Sequence, residues 1–338
     1  MADKQVDRRQ FIQKSVAASA GMALGLHSFE EQNLRAQMAE GGGGAARNRA
    51  QPSAAPTPTG KIKDLTISRM FCGGNLIGGW AHSRDLIYVS SLVKAYHSDE
   101  KVFETLALAE EMGINTILGN PSADRVLNRY WNERGGKIQF ISDCAAGSNI
   151  KEGVKRSVDS GAHAVYVQGG LADMAVRDGK TDLVGEALEY MRQFGVPSGL
   201  GAHDLETIKA FVEAGFKPDF WVKTLHPDNY WSATAQENRK PFDAVGPYGQ
   251  KHGEHHDNMW CRNPAETIEY MKALKEPWIA FKVLAAGALH PRDGFKFAFE
   301  GGADFICVGM FDFQLRENVI LAQQTLAADL RRERPWCA

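Results

Sequence analysis

A chain of 338 residues with 43% hydrophobic and 24% charged side chains lies in the ordinary globular range and is long enough to bury a large core. Its formal net charge of −2, with no basic run standing out, excludes the electrostatic footprint of a nucleic-acid binder. The five cysteines, Cys72, Cys144, Cys261, Cys307 and Cys337, lie far apart with no C-x-x-C pair, which excludes a disulfide scaffold and a zinc knuckle.

The N-terminal region, residues 1–39, carries Asp7-Arg8-Arg9-Gln10-Phe11-Ile12 and then an apolar run from Val16 to Leu26. Two arginines before a weakly hydrophobic segment resemble a twin-arginine address, read by an export receptor that moves folded proteins to the periplasm. The run is shorter than the roughly 20 residues a bilayer-spanning helix needs, so no lasting membrane anchor is expected. Residues 40–60 turn to Gly41-Gly42-Gly43-Gly44 and then Ala, Pro, Ser and Thr, the composition of a linker. Residues 61–330 form the expected catalytic domain, and 331–338 a C-terminal tail.

Within that domain short apolar runs alternate with longer segments of helical period, the rhythm of βαβ units. Strands are expected at Ser68–Cys72, Asn115–Leu118, Gln139–Asp143, Ala164–Gln168, Pro197–Ala202, Phe220–Leu225, Trp278–Leu284 and Phe305–Gly309. Eight strands are the count of a closed TIM (β/α)8 barrel. Helical spacing is clear at Val102, Leu106, Ala109 and Met112, and the exits at Gly113 and Gly215 supply the left-handed position a helix stop favours. In such a barrel the reactive groups follow the C-terminal ends of the strands.

Three segments carry a family resemblance: Phe71-Cys72-Gly73-Gly74-Asn75-Leu76-Ile77-Gly78, Gly199-Leu200-Gly201-Ala202-His203-Asp204, and Val308-Gly309-Met310 with Glu317-Asn318-Val319. They resemble the opening loop, the fifth strand end and the closing nucleotide pocket of the aldo/keto reductases. The resemblance implies an α/β barrel and an NADP pocket that includes Gly309, Met310 and Asn318. It also implies a catalytic Asp after strand two, a Tyr soon after it, a Lys after strand three and a His after strand four. Here those strands end in Gly119-Asn120, Asp143-Cys144 and Gln168-Gly169, so Asp, Lys and His are absent from the expected positions. A Tyr with no cation beside it has a pKa of about 10 and is a poor proton donor at neutral pH. Asp312 also stands where a dinucleotide phosphate would pass, and would repel it.

Polar groups on the later strands take the place of the tetrad. His203 ends strand five, Lys223 and His226 lie at the end of strand six, and a polar insertion from Pro227 to Arg262 carries Glu254 and His255. His203, His226 and His255 could hold a divalent metal (zinc, manganese or iron) with an open position for substrate, or be hydrogen-bonded rim residues and a solvated loop. Lys223 or Glu254 would move protons. Lys282, expected inside strand seven, would pair with Asp143 and orient the site. Trp80, Tyr230, Trp231 and Trp260 could stack on a sugar-like substrate or pack the insertion onto the barrel. The leading expectation is an exported enzyme acting on a carbohydrate-like or hydroxy-carbonyl small molecule by metal-assisted isomerase, lyase or hydrolase chemistry. The alternatives are an NADP-dependent oxidoreductase in which His203 or His226 replaces the Tyr, and a non-catalytic barrel that captures a small ligand.

Overall fold

The computed structural model describes residues 57–338 except 84, 148 and 246–255. The arginine pair with its apolar run, the linker up to residue 56, and Glu254 and His255 therefore lie outside the described residues. Strands β1 (Thr59–Ile62) and β2 (Leu65–Ser68) form an antiparallel hairpin. Ile62 and Ile67 on its inner face are fully buried. Thr59 and Gly60, expected as linker, thus already belong to the folded part.

Eight parallel strands then close a barrel: β3 (Met70–Gly73), β4 (Thr116–Gly119), β5 (Gln139–Ser142), β6 (Ala164–Val167), β7 (Ser198–Ala202), β8 (Phe220–Thr224), β9 (Trp278–Phe281) and β10 (Phe305–Val308), with β10 returning to β3. Strands covered on both faces read as continuous apolar runs, and every residue of β6 and β10 is buried. Around them lie α1 (Val89–Tyr96), α2 (Asp99–Glu111), α3 (Asp124–Arg134), α4 (Ile150–Asp159), α5 (Gly169–Arg177), α6 (Thr181–Arg192), α7 (Leu205–Glu213), α8 (Pro264–Lys272), α9 (Pro291–Glu300) and α10 (Asp312–Ala327). Gly113 and Gly215 take the expected left-handed exits, with φ of +83° and +77°.

The register assigns each strand residue to the lumen or to the helix layer, because paired residues of parallel strands share a face. Ser142 pairs with Val165, and its hydroxyl meets Ser157 of α4, so this face looks toward the helices. The same face runs through Val167, Leu200 and Ala202 to Lys223. Lys223 therefore leaves the strand on the helix side of the wall. Asp143, Tyr166 and Phe281 alternate onto the lumen side. β9 stops at Phe281 instead of Leu284, because Lys282, Ala285 and Ala286 all have positive φ (58°, 46° and 55°) and turn the chain out of the sheet. Lys282 consequently sits just beyond the strand end, at the mouth.

Candidate active site at the barrel mouth

His203 leaves the end of β7 beside the start of α5. Its Nδ1 lies 2.8 Å from Asp173 Oδ2, and its backbone N–H donates to the same oxygen at 3.0 Å. Asp173, fully buried on α5, also accepts from Thr207 Oγ1 at 2.7 Å and from Asp204 N at 3.3 Å. Four donors around one carboxylate fix its position, and the carboxylate in turn keeps the ring proton on Nδ1. Burial pushes the His203 pKa down against the opposing pull of Asp173, so the ring is a neutral base with Nε2 as its acceptor. The ring centroid is 5.2 Å from that of Phe281, on the lumen side. A side chain at 169 would put its Cβ 3.2 Å from the His203 ring, which accounts for Gly169.

His226 is placed differently from the expected metal ligand. Its Nδ1 donates to the Pro227 carbonyl at 2.8 Å, and its Nε2 accepts from both the Trp260 and Cys261 backbone N–H groups at 3.0 Å. Both ring nitrogens are committed to backbone, and burial depresses the pKa to about 4, which keeps the ring neutral. With neither lone pair available, the three-histidine set loses a member. Among the described residues no group of three His, Cys, Asp or Glu side chains is disposed to hold a metal ion. What His226 does is hold down the far end of the insertion. Arg262 assists with paired bonds to Asp204 (3.1 and 3.0 Å), and Arg239 bridges Asp228 and the Arg262 carbonyl at 2.6 and 2.7 Å.

The anchored insertion lays Trp260, 3% exposed, at the mouth. Lys282 Nζ is 4.1 Å from its ring centroid, and His82 from the first mouth loop is 4.7 Å from it ring to ring. His82 Nε2 lies 2.5 Å from Lys282 Nζ and 3.1 Å from Asn75 Nδ2. Asp143 does not meet Lys282 as expected: its carboxylate accepts from the Ala145 N–H at 2.9 Å and Asn120 Nδ2 at 3.2 Å. With no cation among these partners, burial dominates and raises its pKa to about 7.

Lys223 is held by its own strand end. Its Nζ donates to the carbonyl and hydroxyl of Thr224 at 3.0 and 2.8 Å, and burial lowers its pKa. It lines a cavity of about 10 Å³ together with His203, Trp260, Arg262 and Glu266, so its amine reaches the rim beside His203. At the expected nucleotide pocket Gly309 is exposed while Met310 and Asn318 are buried. Asp312, at the first turn of α10, accepts from Tyr96 Oη at 2.5 Å and Lys101 Nζ at 3.3 Å. The aromatic set is dispersed: Trp80 and Trp231 are 58% and 88% exposed, and Tyr230 donates to the Asn258 carbonyl at 2.8 Å beside His226.

Two residues at the mouth escaped the sequence reading. Asp173 carried a signal, since Gly169, Gly170, Ala172 and Asp173 form one buried stripe of α5 and an acid on such a stripe must be satisfied. His82 carried only its place after the first strand.

No family model and no curated protein matches the chain. Among solved structures, one from Pseudomonas aeruginosa, provisionally assigned as an aldo-keto reductase, matches at 19% identity and TM-score 0.51, over 80% of this chain and 94% of that one. A second, also from Pseudomonas aeruginosa and with the same provisional assignment, gives 18%, 0.51, 82% and 98%. At such identities the likeness is one of fold, so the chain is a closed eight-stranded α/β barrel of aldo-keto-reductase-like architecture.

Proposed function

We propose that the protein is an exported barrel enzyme that moves a proton next to the carbonyl of a small hydroxy-carbonyl or sugar-like compound, as an isomerase or lyase does. The observation that carries this reading is the His203–Asp173 pair. A neutral imidazole with Nδ1–H fixed on a buried carboxylate has one basic nitrogen, and the carboxylate stabilises the imidazolium once the proton is taken. Asp143, whose carboxyl is raised to about 7, supplies the complementary acid on the lumen side. Nothing in this step calls on His226, whose nitrogens serve the backbone.

The test is proton–deuterium exchange in D2O, followed by NMR on a panel of 2-hydroxy ketones and short aldoses. Exchange next to the carbonyl should fall at least about 100-fold in His203→Asn, the scale of a positioned general base, and less in Asp173→Asn. Exchange that persists undiminished in His203→Asn would sink the reading. Export rests on the arginine pair alone. Changing Arg8 and Arg9 to Lys should retain the protein in the cytoplasmic fraction, and periplasmic recovery of that variant would refute it.

A further inference from the structure

Lys282 leaves β9 with φ of 58°, a conformation that a residue bearing a Cβ adopts only where its surroundings impose it. A glycine would take the same turn without strain. Nζ reaches His82, on the loop that follows β3, at 2.5 Å. Asn75 Nδ2 approaches the same imidazole nitrogen at 3.1 Å. Both neighbours are donors, so Nε2 presents its lone pair and is in position to draw a proton from the amine. The Trp260 face, 4.1 Å from Nζ, favours a cation at that point.

We propose that Lys282 forms an imine with the carbonyl carbon of the substrate. His82 Nε2 takes one proton from the ammonium. The freed nitrogen pair forms the N–C bond and the carbonyl oxygen receives the proton from His82; His82 then takes a second proton from the carbinolamine nitrogen and passes it to the hydroxyl, which leaves as water as the nitrogen pair forms the C=N bond. The balance is one ammonium plus one carbonyl giving one protonated iminium plus one water, with no change of oxidation state. The iminium keeps its charge over the indole where the ammonium stood. It also acidifies the neighbouring C–H, which connects the step to His203: His203 and Lys282 flank the same Phe281 ring, at 5.2 Å and 5.6 Å from its centroid. The proposal deepens the proton-transfer reading and rests on it for the carbonyl substrate.

The test is borohydride trapping on the full chain with glycolaldehyde, dihydroxyacetone and pyruvate as probes, read by peptide mass mapping. A reduced adduct should form on the Lys282 peptide at least 100-fold faster than on exposed lysines such as Lys155. It should vanish in Lys282→Arg and form at least tenfold more slowly in His82→Gln. Because Lys282→Arg keeps the strained backbone, Lys282→Gly, which suits that φ, serves as the second folded control and should also lose the adduct. Labelling at Lys282 no faster than at Lys155 with all three probes overturns the imine. Deuterium exchange without an adduct removes the imine and leaves the base at His203 standing, whereas an adduct without exchange upholds the imine and removes the proton-transfer reading.

Discussion

His226 and Asp143 illustrate how differently burial acts on two polar side chains of one mouth. His226 is satisfied on both nitrogens by main-chain groups, so His226→Ala would strand the Trp260 and Cys261 N–H groups and the Pro227 carbonyl in a dry place. A loss of roughly 3 kcal/mol in urea unfolding is expected, since each buried unpaired group costs about 1–3 kcal/mol, together with slower trapping at Lys282 as Trp260 shifts. Asp143 titrates with the opposite sign to an ion-paired carboxylate. Its folded pKa of about 7 lies above the ordinary 3.8, so between these values the folded state binds more protons than the unfolded one and stability drops as pH rises. Asp143→Asn should therefore gain stability relative to the parent as pH rises from 4 to 7, then hold level. A stability difference that is constant over this range would show that the carboxyl ionises in the folded state as it does in the open chain.

At the scale of elements, the glycines around β6, β7 and α5 let the backbone come close enough to set His203. A Cβ on Gly201 would sit 2.7 Å from the Val167 carbonyl and 2.9 Å from the Gly169 N–H. Those are main-chain atoms that cannot swing aside. Gly201→Ala should cost roughly 2 kcal/mol, as overpacking in a rigid wall does, and should slow the His203-dependent exchange by moving the end of β7. A thermal melt matching the parent's would show that the strand can shift without strain. The insertion between β8 and α8 is likewise an ordered element where it is described, because Arg239, Arg262 and His226 tie its two ends to the barrel. Its role is to carry Trp260 over Lys282.

At the scale of the barrel, the candidate site and the C-terminal cap lie at opposite ends. Asp304, fully buried below β10, accepts from Arg334 Nη1 at 2.6 Å, Cys337 N at 2.8 Å and Trp278 N at 2.9 Å. The Trp336 ring lies between Arg69 and Arg332, 3.8 Å and 3.6 Å from their guanidinium carbons. The stretch read as a tail is thus a cap over the end remote from the mouth, next to the β1–β2 hairpin through Arg69. Arg334→Ala would leave the Asp304 carboxylate buried without its main partner, a change that typically costs about 3–5 kcal/mol. The melting temperature should fall markedly while the rate of Lys282 trapping below that temperature is unchanged. A parallel loss of both would mean that the two ends are coupled.

The barrel was legible in the sequence because a parallel sheet covered on both faces leaves dense apolar runs at regular intervals, and the helix exits at Gly113 and Gly215 mark where each unit ends. Strand counts and the positions of His203, Asp143 and Lys282 near strand ends follow from that local pattern alone. Which of those groups meet depended on quantities that no local pattern carries. A positive φ at Lys282 ended β9 early and sent the amine to His82 instead of Asp143. One step of alternation put Lys223 on the helix side, and main-chain donors brought in by the insertion occupied His226. Asp173 joined His203 because α5 packs against β7. Periodicity reports which face a residue lies on within its own element, whereas a site is made of contacts between elements, and those are set only when the barrel closes.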